Sequence, residues 1–360
     1  MVDIEAIVSD AIAAKASDIH ISPHLPVYFR VNGKMRRAGD PVLADEVDRL
    51  VSSILNSTQL ETLKDKRQLD FMFQTAGHIR LRGNAFKTHL GTALCFRLVQ
   101  KKLRPYSSLG FPDFMKDKFL KLKQGLILIV GPTGQGKSTT LASVLTERNK
   151  NLSDHIVTIE DPIEYVLESE NSIIQQREIG RDVMSFPDGI RSAMREDPNV
   201  VVVGEIRDAE TMVSTITLAE TGHLVFGTLH TNSVEHTIAR ILDSIPSELV
   251  PQVKSQLAQN LQMIIAQRLV PTSDGKDRVL AYEIMNMNIA VGNLIREDKV
   301  HQIQNTIQTD QSGEMIQFEQ SLASLMINKF ISEETAFEYA PDHKQLEAIL
   351  EFNGLSSQKD

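Results

Sequence analysis

The chain of 360 residues holds one cysteine, no tryptophan and no apolar run longer than the five residues from Leu126 to Val130. A single thiol, Cys95, forms no internal disulfide and cannot build a cysteine-rich zinc site, which suits a reducing compartment. A helix that crosses a bilayer needs about 20 consecutive apolar residues, so no spanning segment is encoded. Positive charge is also short: the net charge is -9 at pH 7. Broad adhesion to nucleic acid requires many Lys and Arg to displace counterions from phosphates, and this balance argues against it. At the amino terminus Asp3 and Glu5 stand where a secretory leader has basic residues and then an apolar stretch. An intracellular protein with no membrane insertion and no nucleic-acid partner is expected.

What is present is enough for two or three domains at about 150 residues each. Hydrophobic residues make up 41% and charged residues 24%, a composition that builds a core and stays soluble. Residues 1–100 carry 13 Lys and Arg against 11 Asp and Glu, so the negative charge belongs to the rest. The basic groups of this first part are either solvated surface or serve an anionic ligand or a neighbouring subunit. Ile4, Ile7, Val8 and Ile12 have helical spacing, Asp18 to Ile21 and Val27 to Val31 alternate, and Asn32-Gly33 is a hairpin dipeptide. A helix over about 44–64 and three strands over 68–99 complete a small α+β domain, residues 1–100. Lys101 to Gly110, rich in charge, Pro, Ser and Gly, reads as a linker. From 111 to about 290, apolar strands (126–130, 156–159, 200–203 and 224–229) alternate with amphipathic helices, which predicts an α/β unit with a mainly parallel sheet. Residues 291–360 read as helical.

Gly131-Pro132-Thr133-Gly134-Gln135-Gly136-Lys137-Ser138 fits the phosphate-loop pattern G-x-x-x-x-G-K-[ST] and lies between a buried strand and a helix, as that pattern requires. Glycines let the main chain close around phosphates, so that the N–H groups of Thr133, Gly134, Gln135, Gly136, Lys137, Ser138 and Thr139 and the positive end of the helix face the anion. Lys137 adds a full charge, and the Ser138 hydroxyl can ligate Mg²⁺ bridging the phosphates of ATP. Val200 to Val203 form a buried strand that delivers Glu205 to the carboxyl end of the sheet, where ligands bind in open α/β folds. Its acidic group would hold the magnesium through water. Ile156 to Ile159 is a second such strand, ending in Glu160, Asp161 and Glu164. Glu164 is the candidate that orients and deprotonates the attacking water; Glu160 and Asp161 fit capping or surface roles equally well. A third strand, Leu224 to Leu229, has His223 at one end and His230 at the other. His230 could contact the γ-phosphate and report its loss, whereas a lone histidine such as His223 is commonly structural. In Ile79-Arg80-Leu81-Arg82 the period of two puts Arg80 and Arg82 on one strand face, and Arg97 shares the pattern. These arginines form either a solvated face or a set that stabilises phosphate charge, including on an adjacent subunit.

Together GPTGQGKST, IEDPIEY, VVVVGEIRD, TGHLVFGTLHTN and the opening ASDIHI resemble the type II/IV secretion ATPase superfamily, and most closely its PilT-type pilus retraction ATPases. Ala290 to Glu297 is similar to the AIRNLIRE signature of that group, with Gly292 where the signature has Arg. The resemblance implies a PAS-like amino-terminal domain joined to a RecA-like ATPase core. It also implies a cytoplasmic homohexamer that uses ATP and Mg²⁺, peripheral at the inner-membrane base of a type IV pilus, where an inner-membrane platform protein is its partner. By the family's pattern Glu164 matches the catalytic glutamate, Glu205 the Walker B acid and His223 and His230 the histidine-box pair. Arg82 and Arg97 match arginines that reach a nucleotide from the small domain. The absence of a four-cysteine motif and of an extra amino-terminal domain counts against the extension and type II secretion ATPases, which are the nearest alternative. A low-turnover, nucleotide-gated accessory subunit and a P-loop kinase are the remaining readings.

Overall fold

Ile4, Val8 and Ala11 recur at helical spacing and are buried along one face of α1 (Ile4–Ala13), whose first turn is capped by the Asp3 carboxylate accepting from the Glu5 N–H. The structure is a computed structural model that describes residues 3–31, 33–77, 79–98 and 103–353. The expected roles of Asn32, Lys101 and Lys102, and of the last residues of the expected helical tail, lie outside the described residues. By its internal contacts the chain separates into Met1–Lys102 and Leu103–Asp360.

In the first unit, α1 is followed by β1 (Asp18–Ile21), β2 (Pro26–Val31), β3 (Lys34–Pro41), α2 (Ala44–Ile54), α3 (Ser57–Lys66), β4 (Gln68–Gln74), β5 (Arg80–Thr88) and β6 (Gly91–Leu98). The strands form one antiparallel sheet in the order β3-β2-β1-β6-β5-β4. One helix was expected over 44–64, but there are two. Asn56 ends the first stretch by capping the second, accepting from the Gln59 N–H while Gln59 returns a bond to the Asn56 N–H. One sheet face carries Ile19, Phe29, Leu81 and Phe96 into the core. On the opposite face Asp18 stands directly between Arg30 and Arg97, and Arg97 directly faces Arg82. Arg80 shares that face with Arg82 by strand period, yet Arg80 is buried and Arg82 exposed.

Asp18 anchors this row. Its carboxylate accepts from Arg97 Nε at 2.9 Å and from the Ser17 hydroxyl at 2.8 Å, and lies 3.8 Å from Arg30 Nε. Burial pushes the Asp18 carboxyl up, but these hydrogen bonds and the Arg97 charge outweigh it and hold the group below its ordinary value. A depressed carboxyl contributes stability above the unfolded-state value of about 3.9 and loses it as pH falls through the folded one. Asp18→Asn is therefore expected to destabilise the chain by roughly 1.5–3 kcal/mol at pH 7 in urea denaturation. That difference should shrink below about pH 4, and equal stability at pH 7 would contradict the assignment.

The second unit contains α4 (Asp113–Lys121), β7 (Gly125–Val130), α5 (Lys137–Asn151), β8 (His155–Glu160), β9 (Ile173–Glu178), α6 (Phe186–Ala193) and β10 (Val200–Val203). Next come α7 (Ala209–Glu220), β11 (Leu224–Leu229), α8 (Val234–Ser244), α9 (Val250–Asn260), β12 (Leu261–Pro271) and β13 (Arg278–Asn286). Five helices close it: α10 (Ile289–Arg296), α11 (Ile303–Gln308), α12 (Phe318–Ile327), α13 (Glu333–Tyr339) and α14 (His343–Phe352). The sheet order is β13-β12-β7-β11-β10-β8-β9, all parallel except β13, which runs antiparallel to β12. Alternate residues of each central strand enter two different cores: Leu126, Leu128, Val201 and Val203 on one face, Ile127, Ile129, Val200 and Val202 on the other. Both faces are thus covered, which is why these strands are continuous apolar runs. Because β7, β8, β10 and β11 are parallel and in register, Val130, Glu160, Val203 and Leu229 all end on one rim, and the loops after them form the site. Among the described residues no helix is long and apolar enough to cross a membrane.

Candidate active site

The phosphate loop leaves β7 at Gly131, whose φ of 152° and tight surroundings exclude a side chain: a Cβ there would lie 2.4 Å from the Gln267 carbonyl oxygen. Gly136, with φ of 84°, caps α5 without a side chain, so the first N–H groups of α5 remain available to an anion. The loop is seated on β12 by a reciprocal pair. Gln267 Nε2 donates to the Gln135 carbonyl at 2.7 Å, and the Leu269 N–H donates to Gln135 Oε1 at 2.6 Å. Gln135 therefore holds the loop from behind through its side chain and carbonyl, leaving the loop's main-chain N–H groups for a ligand.

Lys137 is 8% exposed, and its ammonium donates to the carbonyls of Gly131 at 2.7 Å and Pro132 at 3.1 Å. Burial pushes its pKa down, against the attraction of the Glu205 and Glu164 carboxylates. The third partner of Lys137 is His230 Nδ1 at 3.3 Å, and Thr133 Oγ1 lies 3.4 Å from the same nitrogen. On its other side His230 Nε2 is 2.8 Å from Glu205 Oε1. An ammonium can only donate, so this pattern suits the tautomer with hydrogen on Nε2. Arg207 Nη2 donates to Glu205 Oε2 at 2.7 Å and reaches toward Asp161 through Nη1 at 3.5 Å. The Arg207 guanidinium, with His230 beside it, holds the Glu205 carboxyl below its ordinary value.

The acidic loop after β8 is tied down by its neighbours. Glu160 is half-buried, accepts from the Thr158 hydroxyl at 2.6 Å and from Gln176 Nε2 at 3.0 Å, and is pushed up by desolvation. The Glu164 main-chain N–H also favours its charged form. Tyr165 and Thr139 share a hydrogen bond of 2.7 Å, and Gln176 Nε2 donates to the Tyr165 carbonyl at 2.9 Å. The segment bearing Glu164 is thereby pinned to the first turn of α5, next to Lys137 and Ser138.

Within this unit the structure brings Thr133, Lys137, Ser138, Thr139, Glu164, Glu205 and His230 to one rim. It does not bring His223. That residue immediately precedes β11 at the opposite rim, about 23 Å from His230 at strand rise, where its Nδ1 faces the Leu218 carbonyl at 3.2 Å and the Thr221 hydroxyl at 3.0 Å. These contacts hold the corner between α7 and β11. Arg82 and Arg97 belong to the other unit, where Arg97 donates to Asp18 through Nε and its side chain is otherwise exposed, and Arg82 makes no hydrogen bond or ion pair among the described residues. Sequence reasoning passed over Tyr165, Gln176, Arg207 and Gln267. Tyr165 and Arg207 stand inside the quoted boxes, whereas nothing local marks Gln176 or Gln267.

The sequence profile of the family described as Type II/IV secretion system protein matches residues 1–347. The chain belongs to that family. Among relatives in the type II/IV secretion family, it is 42% identical to the type IV pilus retraction ATPase PilT of Pseudomonas aeruginosa, over 94% of this chain and 98% of that one. It is 43% identical to a twitching motility protein of Neisseria gonorrhoeae, over 86% of this chain and 82% of the relative. Among solved structures, that of the pilus retraction motor PilT with bound ADP matches with a TM-score of 0.88 at 41% identity, covering 97% of this chain and all of that one. The α/β fold with a parallel core sheet is that of the family.

Proposed function

We propose that this chain is an ATPase that couples hydrolysis to type IV pilus retraction, and hence to twitching motility, working as a cytoplasmic homohexamer against an inner-membrane platform protein at the pilus base. The observation that carries this reading is the nearly full-length likeness to the ADP-bound retraction motor, and the rim supplies the chemistry. Main-chain N–H groups from Thr133 to Thr139 and the Lys137 ammonium receive the phosphates. The ammonium now held by two loop carbonyls and His230 turns to the β- and γ-oxygens, so that protein carbonyls are exchanged for full anions. Ser138 and Glu205 fit Mg²⁺, since hard oxygen donors beside a phosphate site are its usual setting. When bound, the ion neutralises charge developing on the transferred phosphoryl group.

Glu164 accepts the proton of the attacking water, and its turn is fixed through Tyr165, which Thr139 and Gln176 hold. His230 joins the γ-phosphate side of the loop to Glu205, so loss of the γ-phosphate changes the hydrogen bonds at the head of α8. Arg82 and Arg97 present guanidinium groups to a nucleotide, and the movement of the small domain follows from differing affinity of its arrangements for ATP and ADP. The amino-terminal unit is PAS-like in this reading and the second RecA-like, with residues 101–110 joining them and 291–360 forming the helical tail. Purified protein is expected to release phosphate steadily from Mg-ATP. Deletion of its gene should leave pili assembled but unable to withdraw; loss of pilus assembly would instead make it an extension ATPase, and no turnover an accessory subunit.

A further inference from the structure

Alternate residues of β13 join two separate cores: Ala281 packs in the core shared with α12–α14, and Met285 in the core shared with α8–α11. Between them, on the same strand face, stands Glu283, only 4% exposed. Burial pushes the Glu283 carboxyl up against the hydrogen bonds it accepts, and the Glu319 and Glu235 charges add to the rise. A buried ionisable group is a weak device for stability, since apolar side chains of like size often serve as well. Its partners point to another use. Oε2 accepts from the Val234 N–H at 2.8 Å, and Oε1 accepts from Gln304 Nε2 of α11.

Val234 is the first residue of α8, so this N–H is one of the donors that a helix start leaves unmet. Only Thr231, Asn232 and Ser233 separate it from His230, and this short link is braced against the same helix turn. The Ser233 hydroxyl accepts from the His236 N–H at 3.2 Å. The Thr237 hydroxyl donates to the Ser233 carbonyl at 2.6 Å and therefore accepts from the Thr231 hydroxyl at 2.7 Å. His230 is thus held at one end by β11 and at the other by a helix head that Glu283 anchors from β13. Ile303 and Ile307 of α11 pack in the core that holds Val234 and Ile238 of α8.

We propose that Glu283 is a positioning residue for ATP hydrolysis: it sets the head of α8 and through it the placing of His230 between Lys137 and Glu205, and α11 acts on that placing through Gln304. This rests on the reading of His230 as the γ-phosphate contact, and the test separates the two. Phosphate release by the full chain gives kcat, and calorimetry in a Glu164→Gln background, where ATP persists, gives the ratio of ATP to ADP affinity. His230→Ala should lower both. Gln304→Leu, which leaves the imidazole in place, should lower kcat about ten-fold and the affinity ratio about five-fold, the scale of one weakened hydrogen bond to a charged group. Affinity for ADP, which has no γ-phosphate, should stay within about two-fold, a selectivity that a general loss of fold does not produce. Exchanging the pair, Glu283→Gln with Gln304→Glu, keeps an acceptor for the Val234 N–H and a donor facing a carboxylate, and should restore both quantities. Should Gln304→Leu fail to fold, Gln304→Asn, one methylene short of Glu283, is read in the same way. Wild-type kcat and affinity ratio in the Gln304 variant, or an exchange that restores the melting temperature but not turnover, overturns the positioning role and leaves His230 at the γ-phosphate. A His230→Ala protein with both quantities unchanged removes both.

Discussion

Replacing Lys137 with alanine is expected to raise the Kd for Mg-ATP by about one hundred-fold or more, read by calorimetry. The side chain loses charge-assisted hydrogen bonds to phosphate oxygens, each worth roughly 1.5–3 kcal/mol, and about 1.4 kcal/mol is a factor of ten. Two effects act in the same direction. The ammonium is buried, so its attraction to phosphate is weakly screened, and it also draws the carbonyls of Gly131 and Pro132 inward, so its loss loosens the free loop. The unchanged Gln135–Gln267 clamp should keep the chain folded, which makes the loss one of binding and not of structure. An affinity within three-fold of wild type would mean that phosphates do not sit in this loop.

The second large effect is on turnover without binding. Glu164→Gln should reduce steady-state phosphate release by about 10²- to 10⁴-fold, the range supplied by a positioned general base, while ATP affinity changes by no more than a few-fold. The amide is isosteric but cannot take the proton of water. The turn keeps its shape, because the Tyr165–Thr139 bond and the Gln176 bond to the Tyr165 carbonyl do not involve the substituted group. Retained turnover would assign water activation to another residue. A parallel loss of binding would show that the Glu164 charge serves mainly to balance Lys137.

How far such expectations could be written from the sequence depends on where each partner lies along the chain. The phosphate loop is legible because its chemistry needs consecutive main-chain N–H groups and one lysine at a fixed offset. Glu164, Glu205 and His230 are legible because each follows an apolar run, and parallel strands in register deliver their carboxyl ends to one rim. The same logic located His223 at the other end of its strand but could not weigh that separation against its likeness to the histidine box. The strands β9, β12 and β13 escaped notice. Asn260 ends α9 and Leu261 begins β12 with no breaker between them, so the apolar positions there fit helix as well as strand. Gln267 was invisible for a related reason: its partner Gln135 is 132 residues away, and no local pattern encodes such a meeting. The Asn56–Gln59 capping pair, by contrast, stood in the sequence and marked the division of α2 from α3.

The seating of the phosphate loop on Gln267 separates two properties that a shared motif would appear to tie together. Which atoms grip the nucleotide is written in nine residues, but the height and stiffness of that grip are set by a strand whose neighbours are the carboxyl-terminal helices. Val270 and Ala281, on β12 and β13, share a core with Phe318, Leu322 and Ile331. Proteins with an identical GPTGQGKST stretch are therefore free to differ in how firmly that loop is held, through changes to the helices packed on β12 and β13.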